Sequence, residues 1–224
     1  MIRAVVFDLD NTIYDYEQCH KKAMTELKIV CMKQFGISEI AFEENFEYAK
    51  KIVKGRLGDT GSSHNRMLYI QSFLELIEEK PAIYALELYN VYWDTMLDNM
   101  FPFSYVVPLF RELKKREIKI AVLTDLTAHI QHRKLKKLGI AQYIDVLVTS
   151  EEAGTEKPDL KMFKLVKEKL NMESEELLMI GDSKKKDIEG AEAAGIKGIL
   201  FDENIRPKIR TICMEMIKRE TSGE

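Results

Sequence analysis

The stretch Ala4-Val5-Val6-Phe7-Asp8-Leu9-Asp10-Asn11-Thr12 joins four consecutive apolar residues to a polar run that carries two aspartates. A short apolar run with β-branched residues and no polar alternation predicts a strand buried on both faces, as in a parallel sheet. Runs of the same kind recur at 118–123, 144–148, 177–180 and 198–201, and helical patterns such as 126–138 and 160–170 fill the gaps between them. Strands alternating with helices of this length predict right-handed βαβ units and an α/β fold with a doubly wound parallel sheet. In such sheets ligands bind beyond the carboxyl ends of the strands.

Residues 16–100 break the alternation. They carry no strand pattern, but helical spacing shows in Met24-Leu27-Cys31, Met67-Ile70-Leu74-Ile77 and Leu86-Tyr89-Trp93. The expected organisation is therefore a core domain made of residues 1–15 and 101–224, with an α-helical domain inserted at 16–100. Within the insertion, residues 55–65 are rich in glycine, serine and polar side chains and read as a loop, and Pro81 reads as the start of the next helix. Pro102 and Pro108 mark the return to the core. Tyr89, Tyr92 and Trp93 read as core aromatics of the insertion. Residues 205–219 read as a last amphipathic helix and 220–224 as a frayed end.

Composition narrows the function classes. The 224 residues are 46% hydrophobic and 32% charged, with five prolines and eleven glycines, which is the balance of a folded chain. A net charge of −3 with scattered basic residues does not favour nucleic acid and points to a small phosphorylated partner. Three well-separated cysteines signal neither a disulfide framework nor a zinc site. No run approaches the ~18 apolar residues of a membrane helix, and the apolar start is too short for a secretory signal, so no membrane role is expected and the location predicted is cytoplasmic.

Alternate residues leaving a strand point the same way, so Asp8 and Asp10 are expected to project together into the crevice at the end of the first strand. Paired carboxylates there suit a hard cation, or nucleophilic and acid/base work, and aspartate is also a common turn cap. A calcium loop starting at Asp8 fails, because Ile13 stands where glycine is required and Cys19 where glutamate is required. A P-loop fails too, because Ile196 follows Gly190 and Gly195. Three more strand ends add to the first. They are Leu123-Thr124-Asp125, the lysine-bearing Glu156-Lys157-Pro158-Asp159, in which Pro158 is expected to open a helix, and Gly181-Asp182-Ser183 with Asp187 beyond. Hydroxyl, ammonium and carboxylate groups at successive strand ends make a plausible phosphate and metal environment.

In order and position these segments resemble the four motifs of the haloacid dehalogenase superfamily in its phosphatase branch: Asp8 to Thr12, then Thr124, then Lys157-Pro158, then Gly181-Asp182-Ser183 with Asp187. The resemblance implies that Asp8 attacks phosphorus to form an aspartyl-phosphate and that Asp10 serves as acid and base. It implies Mg2+ held by the Asp8 carboxylate, the Asp10 backbone carbonyl and Asp182, with Asp187 in support, while Thr124 and Lys157 steady the phosphoryl group. Asn11 and Thr12 are expected near substrate. The insertion sits where a C1-type cap is found in similar proteins, and this makes Arg56, His64 and Arg66 the candidate substrate contacts there. Asp125 departs from the asparagine often found at its position, and its side chain is expected to point away or to bond backbone. Lys184, Lys185 and Lys186 read as surface, and His129 and His132 as exposed. Among alternative activities, halide displacement has no use for Asp10, a phosphomutase would share the aspartyl-phosphate, and a ligand-binding regulator could retain the fold without catalysis.

Overall fold

The computed structural model of the protein describes residues 1–58 and 60–219. It divides into two compact units, one formed by Met1–Asp15 with the chain from Phe101 onward, the other by Tyr16–Met100.

The first unit is built on a five-stranded sheet of order β3-β2-β1-β4-β5, with every pairing parallel. The strands are β1 (Ala4–Phe7), β2 (Lys119–Thr124), β3 (Val146–Thr149), β4 (Leu177–Gly181) and β5 (Lys197–Leu200). All five apolar runs are therefore strands. The strand β1 lies at the centre, in register with β2 (Val6 beside Ala121) and β4 (Val6 beside Met179). Burial differs from expectation at the edges. Every residue of β1 and β4 is buried, whereas β3 and β5 expose part of their length because one side of each has no strand neighbour.

Alternation along the strands feeds two apolar layers. Ala4, Val6, Ala121, Leu123 and Met179 pack with Met162, Phe163 and Val166 of α8 (Leu160–Leu170) in one core cluster. On the other face Phe7 meets Phe110 of α5 (Val106–Lys115), ring centroids 5.0 Å apart. Pro108 lies inside the first turn of α5, where its missing N–H breaks no intrahelical bond, so it belongs to the helix and does not precede it. The unit is completed by α6 (Ala128–Lys137), the single turns α7 (Ser150–Ala153) and α9 (Gly190–Ala193), and α10 (Ile209–Arg219). The helix α6 starts two residues later than its pattern, because Leu126 takes a left-handed φ of 85° in the preceding turn. Similarly, α10 begins at Ile209 and not at 205, after turns around Pro207, and the expected frayed end 220–224 lies outside the described residues.

The second unit contains α1 (Tyr16–Phe35), α2 (Glu39–Leu57), α3 (Arg66–Leu76) and α4 (Pro81–Asp98), and among its described residues there is no strand. Ser38 caps α2 by accepting from the Ala41 N–H, Asn65 caps α3 through the Met67 N–H, and Pro81 opens α4 as expected. The glycine-rich loop is shorter than its composition implied. Gly55, Arg56 and Leu57 continue α2, and Gly61–His64 forms a 3-10 turn, so glycine's weak helix preference is overridden by the buried face containing Val53. Phe42, Phe46 and Phe73 cluster with ring centroids 5.2–5.7 Å apart. Tyr92 and Trp93 are buried, as expected of core aromatics, but Leu86 is 64% exposed and the buried stripe of α4 runs through Ala85, Leu88 and Met96 instead.

His20 of α1 stacks on Tyr16, and its Nδ1 lies 2.7 Å from the Tyr92 hydroxyl. Burial above all, and then the charges of Arg66 and Lys50, push its pKa from 6.5 down to about 4. The unfolded chain therefore takes up a proton at a pH where the folded unit refuses it. This contribution to stability is complete above about pH 6.5 and is lost as the pH falls toward 4. Thermal melts by circular dichroism across that interval are expected to give a flatter profile for His20→Gln than for the wild-type protein, and equal slopes would refute the assignment.

Candidate active site

The site forms where β1, β2 and β4 end side by side. The Asp8 N–H donates to the Ile180 carbonyl (2.9 Å), which extends the ladder by one residue and fixes the backbone at the point where the carboxylate leaves the sheet. The chain then turns. Asn11 takes a left-handed φ of 60°, which asparagine tolerates better than most residues. The Ile13 N–H donates to the Leu9 carbonyl at 3.0 Å, and the Tyr105 hydroxyl donates to the Thr12 carbonyl.

Asp8 is buried, and Lys157 lies against it. The Lys157 Nζ donates to Asp8 Oδ1 and to Asp187 Oδ1, each at 2.6 Å, and the Thr12 hydroxyl donates to Asp8 Oδ2 at 3.3 Å. Thr12 is fully buried and supports the carboxylate. Asp8, Asp182 and Asp187 each bring a carboxylate oxygen within 4.8 Å of the others. The Asn11 amide hydrogen-bonds Asp182. Burial pushes the Asp8 carboxyl well above the usual carboxylate range, Lys157 opposes the rise, and Asp187 and Asp10 add to it. Burial also raises Asp182, with Asp187 contributing. For Lys157 burial works against the charge, but Asp187 and Asp8 outweigh it and hold the ammonium firmly protonated.

These charges test whether a cation fits. Three clustered carboxylates share one ammonium in a largely buried site, and their oxygens are the donor chemistry that a magnesium ion would satisfy while favouring the ionised form of each. Close packing holds the cluster in place. The Ser183 N–H donates to Asp187 Oδ2 at 2.9 Å, and a Cβ at Gly181 would lie 2.4 Å from that carboxylate, so only glycine fits at the end of β4.

Asp10 does not share these partners. Its Oδ1 accepts from the Tyr14 hydroxyl at 2.6 Å, and both its oxygens accept from the Lys134 Nζ at 2.7 and 2.9 Å. Lys134 of α6 is fully buried, and its sequence context of lysines gave no sign of this. One turn earlier on the same helix Gln131 donates from Nε2 to the Thr124 Oγ1 (2.8 Å) and to the Asp125 carbonyl (2.5 Å). Asp125 turns away from the cluster as expected. Its Oδ1 accepts from the Lys157 N–H (3.1 Å) and its Oδ2 from the Lys186 Nζ (2.8 Å). Lys186, read from sequence as plain surface, is thus half-buried and paired with Asp125 and Glu156. The lysine-bearing segment also differs in detail, since Pro158 lies in a turn and Asp159 caps α8. His129 and His132 are exposed as expected.

In the helical unit the three candidate contacts separate. His64 and Arg66 line one cavity, while Arg56 is exposed on the last turn of α2 and lines another with Val53 and Leu68.

A haloacid dehalogenase-like hydrolase family model matches residues 2–195, most of the chain. The chain belongs to the haloacid dehalogenase-like hydrolase family. Curated phosphatases are among the proteins it resembles. It is 37% identical over 204 residues to a ribulose-1,5-bisphosphate 5-phosphatase of Halopiger xanaduensis, covering 90% of this chain and 85% of the relative. It is 32% identical over 199 residues to a glyceraldehyde 3-phosphate phosphatase of Methanopyrus kandleri, covering 88% and 82%. Among solved structures, a family phosphatase from Thermococcus onnurineus superposes with a TM-score of 0.70 at 25% identity, covering 91% of this chain and 87% of the other.

Within this family member, Gly181→Ala is expected to displace Asp187 and so loosen the carboxylate cluster. Magnesium affinity, read by calorimetry, is expected to fall by roughly 10–100-fold. Unchanged affinity would mean that Asp187 does not organise the cluster.

Proposed function

We propose that the protein is a phosphatase that hydrolyses small phosphate monoesters through an aspartyl-phosphate formed on Asp8. The observation that carries this reading is the separate anchoring of Asp10. A second carboxylate two residues from the nucleophile, held by Tyr14 and Lys134, provides an acid/base group that ester cleavage requires and that halide displacement does not use. The names of the relatives support the substrate class, since ribulose bisphosphate and glyceraldehyde phosphate are both small phosphorylated sugars.

In this mechanism an Asp8 oxygen attacks phosphorus in line. The bond from Asp8 to phosphorus forms as the ester P–O bond breaks, and Asp10 passes its proton to the departing oxygen. Asp10 then takes a proton from water, which attacks the same phosphorus, and inorganic phosphate leaves with the Asp8 carboxylate restored. Lys157 keeps Asp8 oriented and places a positive charge beside it, while Thr124, aligned by Gln131, offers a hydroxyl to the phosphoryl oxygens. Asp8, the Asp10 backbone carbonyl and Asp182 would hold Mg2+, with Asp187 supporting them. When bound, the ion supplies charge that offsets the negative charge on the phosphoryl group.

Asp8→Asn is expected to lower kcat by roughly four orders of magnitude or more while the circular dichroism spectrum is retained, and EDTA is expected to stop wild-type turnover reversibly. Absence of magnesium-dependent phosphate release across a broad panel of phosphate esters would sink the proposal. Lys134→Met leaves every group on Asp8 in place but frees the Asp10 carboxylate. Its kcat is expected to fall by roughly 10²-fold or more on an alkyl phosphate, whose poor leaving group needs the acid, and much less on 4-nitrophenyl phosphate. Equal losses on the two esters would show that Lys134 does not act through Asp10.

A further inference from the structure

The helical unit contains a cavity of about 360 Å3 between α1, α2 and the start of α3. Its charged lining consists of Arg66, Lys50 and Lys54 against Glu17 and Glu47, with His20 beside them. Glu47 is already paired with Lys50 at 2.6 Å. Arg66 is only 8% exposed, yet among the described residues no carboxylate pairs with it. Its guanidinium donates to the His64 carbonyl (2.8 Å) and the Tyr16 hydroxyl (2.6 Å) and lies over the rings of Tyr69 and Tyr92, 5.4 Å from each centroid. All four partners are neutral. A buried guanidinium held by neutral groups at the edge of an open cavity is half of an ion pair, since a charge taken from water is costly until a counter-charge meets it. Lys54, which makes no ion pair among the described residues, adds a second cation on the same wall. Burial first, and then the charges of Arg66 and Lys50, hold the pKa of His20 down, so the imidazole on this wall does not compete with the two cations. Met24 and Phe46 complete the lining with apolar surface suited to a short carbon skeleton.

We propose that this cavity is an anion site of the helical unit that receives a phosphate or carboxylate group on a small organic molecule, with Arg66 and Lys54 as its cationic contacts. Two sources of that group share this chemistry. One is an acidic group carried by a small phosphate ester that is also a substrate, which rests on the phosphatase reading and narrows the substrate class to phosphate esters bearing a further anion. The other is a separate anion that binds without being hydrolysed.

Full-length Asp8→Asn protein with Mg2+ allows binding to be read by calorimetry without turnover. The probes are glycerol 1-phosphate, 3-phosphoglycerate, which adds a carboxylate, and malonate, which has carboxylates and no phosphate. If the second group belongs to the ester, 3-phosphoglycerate is expected to bind at least about tenfold more tightly than glycerol 1-phosphate, and adding Lys54→Gln is expected to erase most of that difference. If the anion is separate, malonate is expected to bind saturably and to lose about tenfold in affinity with either Lys54→Gln or Arg66→Gln, without a preference between the two esters. Lys54 is an exposed helix residue, so its variant reports on the site even if Arg66→Gln fails to fold. Affinities for all three probes that do not change with Lys54→Gln would overturn the proposal. Malonate binding does not depend on whether the wild-type protein releases phosphate, so failure of this site and failure of the phosphatase reading are separately visible.

Discussion

The Lys157 ammonium, buried between Asp8 and Asp187, is the contact on which the rest of the site depends. A lone carboxylate at that depth would give up its charge, and a lone ammonium would lose its proton. Together they stay in place, and one cation is shared among the carboxylates of Asp8, Asp182 and Asp187, whose oxygens could hold a metal ion. Several surrounding contacts position this group. Asp125 accepts from the Lys157 backbone, Thr12 bonds Asp8, and Gly181 leaves the space that Asp187 fills. Removing any partner would leave a buried charge without compensation, which costs more than the contact itself contributes.

The sheet brings these groups together. The central strand β1 has β2 on one side and β4 on the other, so Asp8, Thr124 and Asp182 stand at the carboxyl ends of three neighbouring strands, on the edge of the sheet where ligands bind in such folds. Asp8 and Asp10 are only two residues apart and were expected to project together, yet their surroundings differ. Asp8 enters the buried carboxylate cluster, while Asp10 lies on Lys134 and Tyr14 and is partly open to solvent. Different surroundings are what allow two similar carboxylates to take different chemical roles.

The strands were legible because a strand buried on both faces of a parallel sheet must be apolar throughout, whereas a strand or helix with one face in water is interrupted by polar residues at its own period. Helix ends were less legible. Leu126 and Gly55 moved the boundaries of α6 and α2 through a left-handed turn in one case and tertiary packing in the other. The polar residues that follow strand ends were equally visible, because their position after an apolar run marks them as facing a crevice. Lys134 and Lys186 were not visible. Each sits in a run of basic residues that reads as a solvated helix face, and only the neighbours brought by the fold reveal that one is fully buried on Asp10 and the other is paired with Asp125 and Glu156.

The amino-acid sequence by itself determined the order of strands and helices, the helical insertion and the residues that stand at the strand ends, because each of these is written in local apolar period and its interruption. Which side chains become partners was decided only by tertiary structure. Arg56 and Arg66 are alike as residues in a polar stretch, yet one is exposed and the other is buried beneath two tyrosine rings. Asp8 and Asp10 are alike in the same way. Burial and charge pairing depend on what other segments bring within a few ångströms, and no local pattern carries that information.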